Sequence, residues 1–295
     1  KMNIYEFDYS GAKKEYLNLY DLLPSEMLGL FIFGIGAILA LVYCVRPFKI
    51  KYLSDDYLSL VISSIALLGM YIYTSFQPDE IFISLEHTYN LFHNGLFSFS
   101  PKNMIDGTVE VFNYILLTPF AFERGVLFQA NYYYGMVVLW LHLLLLWKLI
   151  SNKNTTLKLA LLLVFTVSLN YIRIFSNGFG NHIVSLFFFL SMFFQIRGES
   201  EKALKLAVFF PLIRPDAILY SFTIFFVVFV QQKRIRLSYI LANVCMLLVY
   251  FAGFKIFYGH WVPMPAVFKS FNLAILQELA LKTKLGLIFQ INFPT

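Results

Sequence analysis

Apolar residues run through this chain in long unbroken blocks, not in the alternation of a half-buried strand or the stripe of a soluble helix. About 20 apolar residues span a bilayer core, so the blocks at 27–46, 57–76, 131–150, 156–175, 179–196 and 237–257 predict six crossing helices. Between the fifth and sixth, Pro211 and then Arg214-Pro215-Asp216 interrupt the apolar stretch. Its first part, 203–213, is too short to cross and its second, 216–231, is marginal. The pair reads as a broken helical hairpin that enters the bilayer and returns. The expected fold class is all-α, a polytopic transmembrane helical bundle.

The polar positions set the topology. Arg46, Lys49 and Lys51 follow the first block, and Lys148, Lys153 and Lys158 separate the third from the fourth. Arg197, Lys202 and Lys205 follow the fifth; Lys233, Arg234 and Arg236 follow the hairpin. These groups share one side only if 203–231 makes no net crossing, which makes them cytoplasmic by the positive-inside rule. The opposite, outer side then holds most acids and one long connection, 77–130, of the kind that carries function.

Within that connection QPDEIFISLEHTYNLFHNG reads as one helix, with Pro78 suited to its first turn and Gly95 to its stop. Asp79, Glu80, Glu86, His87, Asn90, His93 and Asn94 take one side, and Ile81, Phe82, Leu85, Tyr89 and Phe92 another. The prediction is an amphipathic helix lying along the membrane surface. A second apolar piece, 111–122, is too short to cross. Residues 1–26 read as an outer or interfacial segment, 27–270 as the transmembrane module, and 271–295 as the start of a further helix in an incomplete chain.

Composition narrows the class. With 59% hydrophobic and 14% charged residues and a mean hydropathy of +0.69, the chain lacks the charge that covers a soluble surface. The net charge of +6 is accounted for by the basic loops, so nucleic acid is not an expected partner. Cys44 and Cys245 sit in apolar runs with no partner at metal-ligand spacing, which argues against a disulfide framework or a zinc site.

Four outer constellations can carry chemistry. Asp79-Glu80 can accept a proton from a hydroxyl or hold a divalent cation; the pair also suits a first helical turn with no further purpose. Arg214 and Asp216 form either an ion pair that helps the chain turn or a site where the guanidinium grips a phosphate. In SNGFGNH, Gly178 and Gly180 permit tight turns, and Asn181 and His182 open a span. His260 stands in FYGHWVPMP, whose Tyr258 and Trp261 suit an interface. His142, inside the third block, is expected to hydrogen-bond within the bundle. The topology places the four constellations on one face, which predicts one outward cavity suited to moving a group from a lipid-phosphate carrier.

These pieces resemble the polytopic membrane glycosyltransferases of the GT-C type, especially the bacterial branch that includes the mycobacterial terminal arabinofuranosyltransferase. That family carries an acidic pair, a Phe-rich helix, Asn-Leu, Gly-Leu and an acid-Gly; here stand Asp79-Glu80, Phe82 with Ser84, Asn90-Leu91, Gly95-Leu96 and Asp106-Gly107. SNGFGNHIVSLF is similar to its Ser-Gly-Leu-Glu-Asn segment, RPDAIL to its Arg-Pro-acid, and YGHWVPMPAVFKS to its Tyr-Tyr-Gly-Asp stretch. The chain departs from the pattern at Gly180, where Glu is usual, at His260, where Asp is usual, and in lacking Thr-Pro after Asp106-Gly107.

The resemblance implies an enzyme of the bacterial inner membrane with its active site facing outward. It would move a sugar from a polyprenyl-phosphate donor to a glycan, lipid or protein acceptor. Asp79 would be general base, with Glu80 second, and Arg214 would hold the donor phosphate. Glu86, His87, Asn181, His182, Asp216 and His260 would bind substrate, and a divalent cation, if used, would sit on Asp79 and Glu80. Two rivals come from other classes: a flippase or transporter of lipid-linked glycans, which needs titratable groups through the middle of the spans, and a non-catalytic membrane scaffold.

Overall fold

The computed structural model describes residues 24–45, 54–74, 79–95, 115–150, 154–168, 181–259 and 261, and among these the chain is helical with no strand. Helix α1 is Glu26–Val45, α2 Asp55–Tyr73, α3 Asp79–Asn94, α4 Arg124–Leu149 and α5 Thr155–Thr166. Then come α6, Asn181–Ile196; α7, Ser200–Val208; α8, Phe210–Ile213; α9, Ile218–Gln232; and α10, Leu237–Tyr258. Tight 3-10 turns at Thr118–Phe120 and Pro215–Ala217 precede α4 and α9. Residues 1–23 and 262–295 lie outside the described set, and with them most of the two terminal segments.

Local sequence explains the boundaries. The Ser54 hydroxyl accepts from the Tyr57 amide at the start of α2, and the Asn154 carbonyl from the Thr156 amide at the start of α5. Gly95, with φ of 66°, ends α3 where the sequence places its stop, and Gly259, at 79°, ends α10.

Among the described residues four apolar stretches are long enough to cross a membrane: Glu26–Cys44, Arg124–Leu149, Pro215–Gln232 and Leu237–Ile256. Phe31, Ile35, Ile38 and Leu41 of α1 and Leu241 and Leu248 of α10 remain exposed, as faces turned to lipid do. The second arm of the hairpin is thus longer than its apolar run suggests, because the Pro215–Ala217 turn feeds straight into α9.

Two predicted spans are corrected. The third begins at Arg124, not 131, because Leu127 and Phe128 are wholly buried and carry the helix on past the polar Asn131. The predicted 156–175 is not one unbroken helix: α5 stops at Thr166, where the Thr166 hydroxyl donates to the Leu163 carbonyl and Ser168 N–H to that of Phe165.

Helices α1 and α2 pack with backbones in contact. A Cβ built on Gly29 would lie 2.3 Å from the Tyr73 nitrogen, and one on Gly36 2.7 Å from that of Ala66. Small residues let helices approach in this way where lipid supplies no hydrophobic drive. Helix α2 runs antiparallel to α4: Tyr57 stacks on Trp147 at one end, and the Tyr71 hydroxyl donates to the Tyr132 carbonyl at the other.

Side chains of α9 and α10 satisfy the break in the hairpin. Pro211 has no N–H for the Ala207 carbonyl, four residues back. The Asn243 amide of α10 supplies it at 3.1 Å, reaches the Val208 carbonyl at 3.1 Å, and donates to Ser221 Oγ at 3.0 Å. Ser221 in turn donates to Ala207 at 2.8 Å, so α9 runs back beside α7. At the open end Glu201 meets Lys205, Arg236 and the Tyr239 hydroxyl, which brings the segments after α6 and α9 together.

Candidate functional site

Helix α3 differs from its prediction. Glu86, His87 and Asn90, expected on a wetted face, are each 5% exposed or less, and Leu85 on the apolar side is wholly buried. The helix is built into the bundle against the 118–120 turn and the first turns of α4, so both sides meet protein. A charged carboxylate in such a place requires a partner. Arg124, the first residue of α4, provides it: its Nε donates to Glu86 Oε2 at 3.1 Å and its Nη2 to Oε1 at 2.8 Å. The same guanidinium lies 4.0 Å from the centre of the Tyr89 ring, one turn along α3. Tyr89 also packs on His93, ring centres 4.2 Å apart.

Asp79 and Glu80 open this helix, so the Glu86–Arg124 pair fixes where its first turn stands relative to α4. Asn181 and His182 open α6 in the same way. The side-chain contacts of these four residues lie outside the described set, and so does His260.

Arg214 takes extended backbone between α8 and the 3-10 turn, with φ of −150°. Its guanidinium holds Asp216 in a two-pronged pair, at 3.0 and 2.9 Å. The arginine side chain is 15% exposed and the aspartate 62%, so the pair opens to its surroundings through the carboxylate. The pair lies where the chain passes from α8 into the Pro215–Ala217 turn. Among the described residues, no cluster of three or more His, Cys, Asp or Glu side chains is placed to hold a metal.

Two further features bear on chemistry. His142 Nδ1 donates to the Val138 carbonyl at 2.8 Å, which leaves Nε2 to accept a hydrogen bond from the Ser185 hydroxyl at 2.9 Å. It is a satisfied bundle histidine, as expected. Between α2 and α4 an apolar cleft of about 270 Å³ is lined by Leu67, Leu68, Tyr71, Met136, Leu139 and Trp140. Trp140 Nε1 on its wall donates to Ser64 at 3.1 Å.

Sequence reasoning passed over Arg124 and Asn243. For Arg124 a signal existed: a lone arginine opening an apolar span, downstream of a helix rich in acids. For Asn243 the available signal was a single amide inside an apolar run beside a proline-broken neighbour.

Comparison with protein-family models, curated proteins and solved structures finds no match to this chain. Fold and composition define the class: among the described residues, a helical protein with four helices long and apolar enough to cross a membrane.

Proposed function

We propose that this chain is a membrane glycosyltransferase of GT-C type that takes its sugar from a polyprenyl-phosphate donor at the outer face of a bacterial inner membrane. The observation that carries this reading is the burial of α3. A helix opening with Asp79-Glu80 is held in the bundle by Glu86 and Arg124, which suits a first turn that must keep a fixed position for chemistry.

In the proposed reaction the acceptor hydroxyl gives its proton to the Asp79 carboxylate. Its oxygen forms a bond to the anomeric carbon as the bond from that carbon to the phosphate oxygen breaks. The electron pair leaves with the polyprenyl phosphate, whose growing charge Arg214 would stabilise through guanidinium protons while Asp216 holds it in place. Glu86 serves through Arg124 and is a positioning residue. The apolar cleft between α2 and α4 suits a prenyl chain lying alongside the bundle.

The test is transfer in membranes from a labelled polyprenyl-phosphate sugar. Loss of general-base catalysis lowers turnover by about 10²–10⁴-fold, so Asp79→Asn should be nearly inactive. Unchanged turnover removes Asp79 as base, and unchanged turnover in Arg214→Ala as well discards the site. Movement of a labelled lipid-linked glycan across vesicles without transfer favours a flippase instead.

A further inference from the structure

We infer that the end of the bundle where α6, α7, α9 and α10 meet binds an anionic phospholipid, its headgroup on Arg197, Lys233 and Arg234 and its tails along the apolar helix ends below. Side-chain contacts bring these ends together. The Gln195 amide of α6 donates to the Gln231 carbonyl oxygen of α9. Glu201 of α7 accepts from the Tyr239 hydroxyl of α10 at 3.2 Å and meets Arg236, just before α10, at 3.8 Å. Arg197 and Lys233 each stand two residues beyond the joined glutamines, so the turns that carry them leave the bundle side by side.

The charge at this end is one-sided. Segments 197–205 and 231–236 hold six bases against two acids. Both acids are already engaged, Glu199 by Lys202 and Glu201 by Lys205 and Arg236. Arg197, Lys233 and Arg234 are exposed and have no acidic partner among the described residues. Lys233 holds left-handed backbone, with φ of 56°, while the other positive-φ positions among the described residues are the glycines 95, 198 and 259. Glycine takes that conformation with less strain, so the lysine is suited to its place by its ammonium and not by its backbone. One cation is enough to favour the end of α9, and three unpaired ones gather here. Sidedness requires only that basic loops share a leaflet, whereas convergence on one spot suits a single headgroup. Ile196, Phe229 and Leu237, beside these bases in the chain, are exposed and apolar. A phospholipid matches both parts, its phosphate accepting from guanidinium and ammonium and its hydrocarbon covering the apolar residues. A soluble anion meets only the first. The inference is independent of the glycosyl reading.

The experiment is native mass spectrometry of the purified full chain in detergent, titrated with phosphatidylglycerol or with phosphatidylcholine of the same chains. Wild type is compared with Lys233→Asn/Arg234→Gln and with Lys148→Gln, which removes an exposed base at the end of α4. Asparagine tolerates left-handed backbone, so the double variant keeps its turn. Wild type should retain phosphatidylglycerol more tightly than phosphatidylcholine. A base near an anionic lipid contributes about five-fold to binding, so the double variant should bind phosphatidylglycerol about 30-fold more weakly and phosphatidylcholine as before. Lys148→Gln should bind both as wild type does. Equal retention of the two lipids by wild type overturns the inference, and so does an unchanged affinity in the double variant. Comparable weakening in Lys148→Gln shows diffuse attraction in place of a site and overturns it too. Displacement of the lipid by an equal concentration of glycerol phosphate marks a soluble-anion site and overturns the lipid assignment.

Discussion

Replacing Gly69 by alanine tests how closely α1 and α2 approach. A Cβ at Gly69 would stand 2.2 Å from the Phe33 nitrogen and 2.6 Å from its Cα. Both atoms are backbone, so no rotamer relieves the overlap, and the axes must part by about 1 Å to restore ordinary contact. Overpacking of this kind costs about 1–3 kcal/mol. Gly34, on the same hairpin, is the control, because a Cβ there meets nothing within 4 Å. Both changes gain the same helix propensity, about 1 kcal/mol, so their difference isolates the packing cost. Gly69→Ala should be less stable than Gly34→Ala by about 1–3 kcal/mol. The assay is unfolding of the full chain in mixed micelles by added SDS, followed by tryptophan fluorescence, with a spin-label pair reporting the distance between the two helices. Equal stability of the variants, with the distance unchanged in both, refutes the close approach.

Three other outcomes follow from the packing. Asn243→Leu leaves the carbonyls of Ala207 and Val208 without their amide and should cost about 1–3 kcal/mol; adding Pro211→Ala returns an N–H for Ala207 and should recover part of it in the same titration. Arg124→Met removes the two-pronged pair from the buried Glu86, and since Arg124 keeps 27% of its side chain exposed the loss should be about 1–3 kcal/mol, below that of a fully buried pair. Hydrogen exchange should then quicken across α3, and Glu86→Leu in the same chain should restore protection; unaltered exchange in Arg124→Met denies the pair its anchoring role. The Glu201 carboxyl is held below its ordinary value of 4.5 by the Tyr239 hydroxyl, and by Lys205 and Arg236. A depressed carboxylate stabilises the fold above its unfolded pKa and loses that contribution as pH falls through the folded value. The contacts at the open end of the hairpin should therefore loosen only in acid, and Glu201→Gln should abolish that acid dependence of exchange at the start of α10.

Much of this architecture is legible in the sequence because bilayer thickness turns hydropathy directly into helix count and place. The apolar runs that became α1, α2 and α10 are continuous, and their helices lie within a few residues of the predicted limits. Proline at 211 and 215 announces the break in the hairpin, since a missing N–H is a local fact of the residue itself. Gly95 marks the end of α3 for the same reason. The fate of the polar face of α3 was not legible. Periodicity shows that Glu86, His87 and Asn90 share a side, but a polar side suits water and a buried ion pair alike.

The sequence alone determined that the chain is helical, that it has stretches able to cross a membrane, and that one hairpin is broken, because each follows from apolar length or from the covalent chemistry of a single residue. Tertiary structure decided which partners satisfy the polar groups on separate helices: Arg124 for Glu86, Asn243 for the carbonyls behind Pro211. Those partners lie 35 to 38 residues apart and meet only when helices pack. In a medium without water, a buried polar group's choice of partner is set by whichever helix comes to lie beside it, and that arrangement is a property of the assembled bundle.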